Sequence, residues 1–275
     1  MLAARFFHSL IFYFMHYFSC LLLVAFHSIG IVQYSFSEES QGEISLEVHK
    51  KLTRLNFEDS IRQMYTSMDL EHYNLSYDVF RYSMIGFYSL KQEGKLSDKN
   101  LLSIIDFSKS STQKRFYMID LNQQKITYHT YVSHGKNTGE DMAKQFSNTV
   151  HSNQSSLGFY ITAETYTGSK GYSLKLDGAD KGYNDNMRER AVVMHAADYV
   201  SEKWIRANGR LGRSQGCPAL PVEFSKAIID TIKNGTAIFA YYQDENYLNS
   251  SAYLNTDKLL QSLEAEPERL EASLR

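Results

Sequence analysis

The sequence predicts a mixed α+β protein, sheet-rich in its middle and led in by a helical region. Three observations predict this class. Apolar residues recur at helical spacing before residue 100, as in "LSYDVFRYSMIGFYSLKQEG". From about residue 102 the texture changes to short apolar runs separated by polar turns. The chain has 275 residues, 43% of them hydrophobic, enough for a substantial core.

Residues 46–100 read as the helical N-terminal region. Phe80, Met84, Phe87 and Tyr88 share a helix face, Ser76 is a candidate cap and Gly94 a stop. Aromatics at this spacing belong to a core, so they are assigned no chemistry. The strand candidates begin with "SIIDFS", then "RFYMIDL" and "ITYHTYVS" joined by the turn "NQQK". Ile126, Tyr128, Thr130 and Val132 alternate as in a half-buried strand. "GFYITAETY" and "GYSLKLDG" flank "TGSK" as a second hairpin, and "RAVVMHAA" is a short apolar strand that carries His195. "VSEKWIRANG" is a short helix stopped by Gly209. "PVEFSKAIIDTIKNG" is a longer one, with Pro221 at its start and Phe224, Ile228 and Ile232 on one face. "TAIFAYY" is the last strand. Hairpin connections predict a largely antiparallel sheet. Residues 101–243 thus form the sheet-rich domain, and 244–275 read as a polar tail, a solvated helix or frayed end.

The first 37 residues differ from the rest. Arg5 is the only charged residue before Glu38, and the intervening stretch is apolar. It fits a secretory signal peptide, and it is also long enough to serve as a retained membrane anchor. The favoured expectation is export, to the periplasm or cell envelope. Contact with a membrane is then expected only through this segment, if uncleaved. The net charge of −2 leaves no basic excess for nucleic acid.

The chain has two cysteines. Cys20 lies in the apolar leader; Cys217 lies in "GRLGRSQGCP", among glycines, arginines and a serine. If the leader is removed, Cys217 has no disulfide partner in its own chain. A buried structural cysteine usually sits in an apolar strand or helix. This setting favours a reactive thiol over that role. His195 precedes Cys217 by twenty-two positions, with one short helix and a glycine-rich turn between them. Such a connection returns the chain to the same sheet edge and places imidazole beside thiol. The imidazole then takes the thiol proton, and the thiolate attacks a carbonyl. Gly216 permits unusual dihedrals and a close backbone approach. The amides of Gln215, Gly216 and Cys217 are candidate oxyanion donors. Arg210 and Arg213 either lower the thiol pKa or hold the loop. Asp198, Tyr199 or a backbone carbonyl orients the imidazole. His134, in "SHG", reads as a surface histidine with cleft lining as the alternative. The short-spaced Cys and His ligands of a structural zinc site are lacking.

These motifs resemble the L,D-transpeptidase catalytic domain family (YkuD-like), most closely its murein L,D-transpeptidase catalytic domain branch. "GRLGR" with "SQGCPALP", "MHAADYVS" upstream, "FYMIDLNQQKITYHTYVSHGKNTG" and "SSLGFYIT" carry the likeness, over about residues 102–243. The resemblance implies an L,D-transpeptidase-like β-sandwich or barrel core. His195 would be the base, Ser214, Gly216 and Cys217 the second block, and Cys217 the nucleophile. Gln215 stands where many members carry His. Ala219 stands where Arg or Asn is common, which puts the substrate-carboxylate contact on Arg213 or Arg210, with Ser214, Gln215 and Tyr199 as further substrate-binding candidates. The implied activity is acyl transfer from peptidoglycan stem peptides through a thioester, with release of D-alanine and no cofactor or metal. The acceptor is a neighbouring stem amine, a wall-anchored protein's amine, or water in an L,D-carboxypeptidase. A catalytically inactive wall-binding module is the remaining alternative.

Overall fold

A computed structural model of the protein describes residues 38–265. The leader expected over residues 1–37 and the end of the tail, 266–275, lie outside the described residues. The chain divides into two units, residues 1–49 and 50–275. Of the first, the described part, residues 38–49, is helical. Among the described residues, the second holds the strands, the rest of that first helix and the other helices. Among the described residues no helix is long and apolar enough to cross a membrane.

The helical region contains α1 (Glu38–Ser67) and α2 (Tyr77–Gln92). Ser76 caps α2, its side chain accepting from the Val79 amide, and Gly94 follows the helix in the left-handed region at φ +67°. Eight strands then form one sheet: β1 (Leu101–Asp106), β2 (Phe116–Asp120), β3 (Lys125–Thr130), β4 (Gly158–Gly168), β5 (Gly171–Gly178), β6 (Val193–Ala196), β7 (Ala219–Leu220) and β8 (Ala237–Tyr241). Their order is β3-β2-β1-β8-β4-β5-β6-β7. All pairings are antiparallel except β1 with β8 and β6 with β7. The sheet nearly closes on itself. Beyond β3, the Ser133 amide donates to the Ala219 carbonyl, and Gly135 bridges to Ser214. Helix α3 (Glu202–Asn208) lies between β6 and β7, and α4 (Val222–Ile232) between β7 and β8.

Side chains alternate across the sheet, so two cores form. Leu102, Ile104, Tyr117, Ile119, Phe159 and Phe239 belong to one, together with Phe57 and Ile61 of α1 and Phe80, Met84 and Phe87 of α2. Ile105, Phe116, Met118, Tyr160, Ile238 and Ala240 belong to the other, with Ile228, Ile229 and Ile232 of α4. Both faces of β1 and β8 are covered, which is why those strands read as continuous apolar runs. Phe224 departs from its expected place: it is partly exposed at the start of α4.

The tail also differs from expectation. Residues 245–265 fold as α5 (Glu245–Ser250) and α6 (Thr256–Ala265). Leu259, Leu260 and Leu263 are buried in the first core, as is Tyr247. Buried Asp180 ties α5 to the sheet. It accepts from the Phe159 amide at 2.7 Å, from Ser251 Oγ at 2.5 Å and from Tyr247 Oη at 3.3 Å. A polar composition hid a helix whose few leucines all point inward.

One glycine in α2 tests the helix–sheet packing. A Cβ at Gly86 would lie 1.9 Å from Phe159 Cζ. The Phe159 ring stacks on Phe239 at 4.3 Å and has no room to retreat. Gly86→Ala gains up to about 1 kcal/mol of helix propensity in an open helix. Overpacking costs about 1–3 kcal/mol and should dominate here. The expected result is a lower urea midpoint; a higher one would mean that α2 does not rest on Phe159.

Candidate active site

The register of the two parallel strands places the sequence-predicted residues. His195 of β6 pairs with Ala219 of β7. Cys217, two residues before Ala219, therefore lies alongside Val193. The Val193 amide indeed donates to Cys217 Sγ at 3.5 Å, and Sγ in turn faces the Ala191 carbonyl at 3.9 Å. His195 lies two residues, about 7 Å, further along the strand. Cys217 is partly exposed as a residue, while its sulfur faces the protein backbone, and His195 is buried. The structure thus brings His195 on β6 and Cys217, in the loop entering β7, to one side of the sheet, with the thiol turned toward backbone.

Their electrostatics follow from burial. His195 Nδ1 lies 2.8 Å from the Ala196 carbonyl. A carbonyl only accepts, so Nδ1 carries the hydrogen, and the neutral ring leaves its lone pair on Nε2. Of the orienting groups expected, the backbone carbonyl is the one that bonds the ring; Asp198 is exposed. Burial holds the His195 pKa below its ordinary value. Burial likewise pushes the Cys217 thiol up, against the opposing pull of the Val193 amide, Arg190 and Lys170. Both groups are therefore neutral near pH 7. Tyr199 is pushed up to about 12, first by burial and then by its proximity to Cys217.

The loop before Cys217 is tightly specified. Ser214 Oγ accepts from the Gly216 amide at 3.0 Å and donates to the Cys217 carbonyl at 2.6 Å. The Gly216 amide, expected as an oxyanion donor, is thus already engaged. The amides of Gln215 and Cys217 donate to no acceptor among the described residues. Gln215 is exposed. Gly216 has φ +119°, and a Cβ there would lie 2.7 Å from the Gln154 carbonyl; only glycine fits.

Arg213 and Arg210 are both engaged by the preceding loop. Arg213 Nη1 donates to the Lys136 and Gly139 carbonyls, each at 3.0 Å, and to Glu140 Oε1 at 2.7 Å. Arg210 Nε lies 3.0 Å from Glu140 Oε2. Glu140 is largely exposed, so its ion pairs are screened and contribute little. The two loop carbonyls matter more. Arg213→Ala should lower stability by about 1–2 kcal/mol, and Glu140→Ala by under about 1 kcal/mol. Equal losses in chemical denaturation would mean that the ion pair, not the carbonyl clamp, holds this loop.

His134 departs from the surface placement: it is 1% exposed. Arg115, fully buried, donates from Nη2 to His134 Nδ1 at 2.7 Å, leaving Nε2–H for the Gly139 carbonyl at 3.3 Å. Burial and the adjacent Arg115 push the ring down to about 4. With both nitrogens occupied, it has no lone pair for a substrate proton. Its backbone carbonyl accepts from the Ser214 amide.

Two contributors escaped the sequence. Ser155 Oγ donates to the Gly216 carbonyl at 3.2 Å and accepts from the Gly135 amide at 3.1 Å, joining three loops. Arg190, just before β6, lies beside the cysteine loop, with Nη2 3.4 Å from where a Gly216 Cβ would stand. Neither has a local sequence signal, because each meets Gly216 only through tertiary contact. Among the described residues, no cluster of three or more His, Cys, Asp or Glu is placed to hold a metal ion.

A partly exposed cysteine in the loop that enters β7 and a buried neutral imidazole on the neighbouring parallel strand β6 define the class: a thiol–imidazole site on a nearly closed, sheet-rich scaffold. The family follows from the sequence as a whole. Residues 71–241 match the L,D-transpeptidase catalytic domain, and the chain belongs to that family. The match takes in α2 as well as the sheet. No curated protein matches the sequence. Among solved structures, an L,D-transpeptidase from Mycobacterium smegmatis is 13% identical, with 52% of this chain and 59% of that one covered and a TM-score of 0.33. An L,D-transpeptidase from Xylanimonas cellulosilytica is 15% identical, with 53% and 62% covered and a TM-score of 0.31. A variant of the helical cell shape determining protein from Campylobacter jejuni is 13% identical, with 70% and 64% covered and a TM-score of 0.39. The chain spans about six-tenths of the length of these solved chains.

Proposed function

We propose that the protein is a cysteine-dependent peptidoglycan L,D-transpeptidase, exported to the periplasm or cell envelope. Cys217 is the nucleophile and His195 the general base. The observation that carries this reading is a partly exposed cysteine entering the strand next to an imidazole whose tautomer leaves Nε2 free to accept a proton.

Because both groups rest neutral, the proton moves during attack rather than before it. The thiol turns from the Val193 amide toward His195. Sγ–H gives its proton to Nε2 as Sγ bonds to the carbonyl carbon between the third stem residue and D-alanine. The carbonyl π electrons move to oxygen, where the unengaged amides of Gln215 and Cys217 are the nearest donors in sequence. Collapse breaks the C–N bond, and the imidazolium protonates the leaving D-alanine amine. A thioester remains. An amine from a second stem then attacks the thioester, yielding its proton to Nε2, and Sγ leaves as a thiol. The product is a 3→3 cross-link. An amine of a wall-anchored protein or a water molecule enters the second step by the same proton route.

Intact-mass and peptide mapping after incubation with a carbapenem test the reading. The expected result is one adduct carrying the whole drug mass on Cys217. An unmodified Cys217 would favour the inactive wall-binding module.

A further inference from the structure

We propose that Arg190 is the built-in counter-charge of the Cys217 thiolate, a guanidinium fixed against the cysteine loop so that negative charge arising on Sγ is neutralised there. The observation is a half-buried cation without a carboxylate. Arg190 Nη1 donates to the Ser147 carbonyl at 2.7 Å and Ser156 Oγ at 2.5 Å; Nη2 donates to Ser152 Oγ at 3.1 Å and the Gln154 carbonyl at 2.5 Å. All four acceptors are neutral. Its Nε is buried with no partner. No carboxylate lies within ion-pair distance of it among the described residues, whereas Arg54, Arg81, Arg188, Arg206, Arg210 and Arg213 each have one.

Two groups capable of negative charge act on Arg190: Tyr160 and Cys217. Tyr160 is buried, donates its hydroxyl to the Ser156 carbonyl, and is pushed far above the ordinary phenol range by burial. It stays neutral. Cys217 remains. Arg115, the other arginine deep in this domain, makes the contrast clear, because Asp106 and Asp141 both act on it. Burying a guanidinium against neutral acceptors alone is costly. A thiolate forming beside it relieves that cost, so the fold favours ionisation of Cys217 over a site without the arginine.

The placement is specific. The Gln154 carbonyl that holds Nη2 is also the atom a Gly216 Cβ would strike. The same carbonyl thus spaces the guanidinium from the cysteine loop. Ala191, between Arg190 and β6, takes the left-handed conformation at φ +50°, a strained choice for a residue with a Cβ. The other charged or titratable groups around Cys217 are Lys170 on the β4–β5 turn, Tyr199 after β6, and His195 on β6. Lys170 is exposed and solvent-screened; Tyr199 is neutral; His195 takes up the proton. Arg190 is the fixed charge among them.

The inference rests on the reading of Cys217 as a nucleophile, and its test reads the thiol without requiring acyl transfer. The rate of Cys217 alkylation by iodoacetamide is followed from pH 6 to 10 on the full chain, at the Cys217 peptide, for wild type, Arg190→Gln and Arg190→Lys. Arg190→Gln should move the midpoint up by about one pH unit and slow alkylation at pH 7.5 about tenfold; Arg190→Lys should keep most of the wild-type rate. A glutamine profile that superposes on wild type, or a lysine variant as slow as glutamine, overturns the proposal in favour of a hydrogen-bonding clip. Should the variants fail to fold, the wild type decides. The ratio of iodoacetate to iodoacetamide rates at Cys217 should exceed that of N-acetylcysteine amide, and the excess should survive Lys170→Gln. A ratio no higher than that of the free thiol overturns it. A shifted profile without any carbapenem adduct would instead leave Arg190 in place and remove the transpeptidase reading.

Discussion

Cys217→Ala is expected to abolish D-alanine release and carbapenem capture while leaving the fold intact. Cys217 is partly exposed, and its thiol makes two long contacts, with the Val193 amide and the Ala191 carbonyl. Removing it should cost about 1 kcal/mol or less, the usual size of a mild substitution. The serine variant makes the test sharper. Cys217→Ser is close to isosteric and keeps an acceptor for the Val193 amide, so any packing or hydrogen-bonding role would be rescued. A hydroxyl is far harder to ionise than a thiol and has a single neutral imidazole to help it. Activity should stay below detection in both variants, with melting temperatures close to wild type. Turnover near the wild-type level in either one would remove Cys217 from the mechanism.

Much of this site was legible in sequence because its chemistry is written in residue types. A thiol among glycines and a histidine ending an apolar strand stand out without a structure. The hairpins were legible for the same reason: β4 and β5 have period-2 patterns and a glycine-containing turn. Strand β7 was not, since two residues cannot establish a period, yet its pairing with β6 sets Cys217 against Val193. Helix α6 was hidden by acidic composition, though Leu259, Leu260 and Leu263 supply a buried stripe. The arginines show the deeper reason. Arg213 and Arg210 lie near Cys217 in sequence and are engaged by Glu140, while Arg190 lies twenty-seven positions away and sits beside the loop. Proximity along the chain predicts a loop's own wiring; proximity in space depends on which strands pair. His134 illustrates the same point, since the Arg115 that consumes its Nδ1 arrives from β2's approach, nineteen residues earlier.

His195→Ala should slow acylation near pH 7 by about 10²–10⁴-fold, the usual contribution of a general base, and the loss should shrink as pH rises. The sign follows from the two resting states. Burial keeps the His195 pKa below its ordinary value of about 6.5, so the wild-type ring is an available base at neutral pH, and the acid limb of kcat/KM should fall below pH 6.5. Burial keeps the thiol above its ordinary value, so without a base almost none of it is thiolate at pH 7. In the alanine variant the acid limb of the imidazole disappears. The rate instead climbs about tenfold per pH unit with the thiolate fraction, until the thiol itself titrates in the alkaline range. The two profiles therefore converge at high pH and diverge at low pH. A thiolate–imidazolium pair formed in advance would give the opposite picture, a wild-type profile flat down to an acidic thiol pKa. An alanine variant that loses the same factor at pH 7 and pH 10 would show that His195 holds the strand edge in shape and transfers no proton.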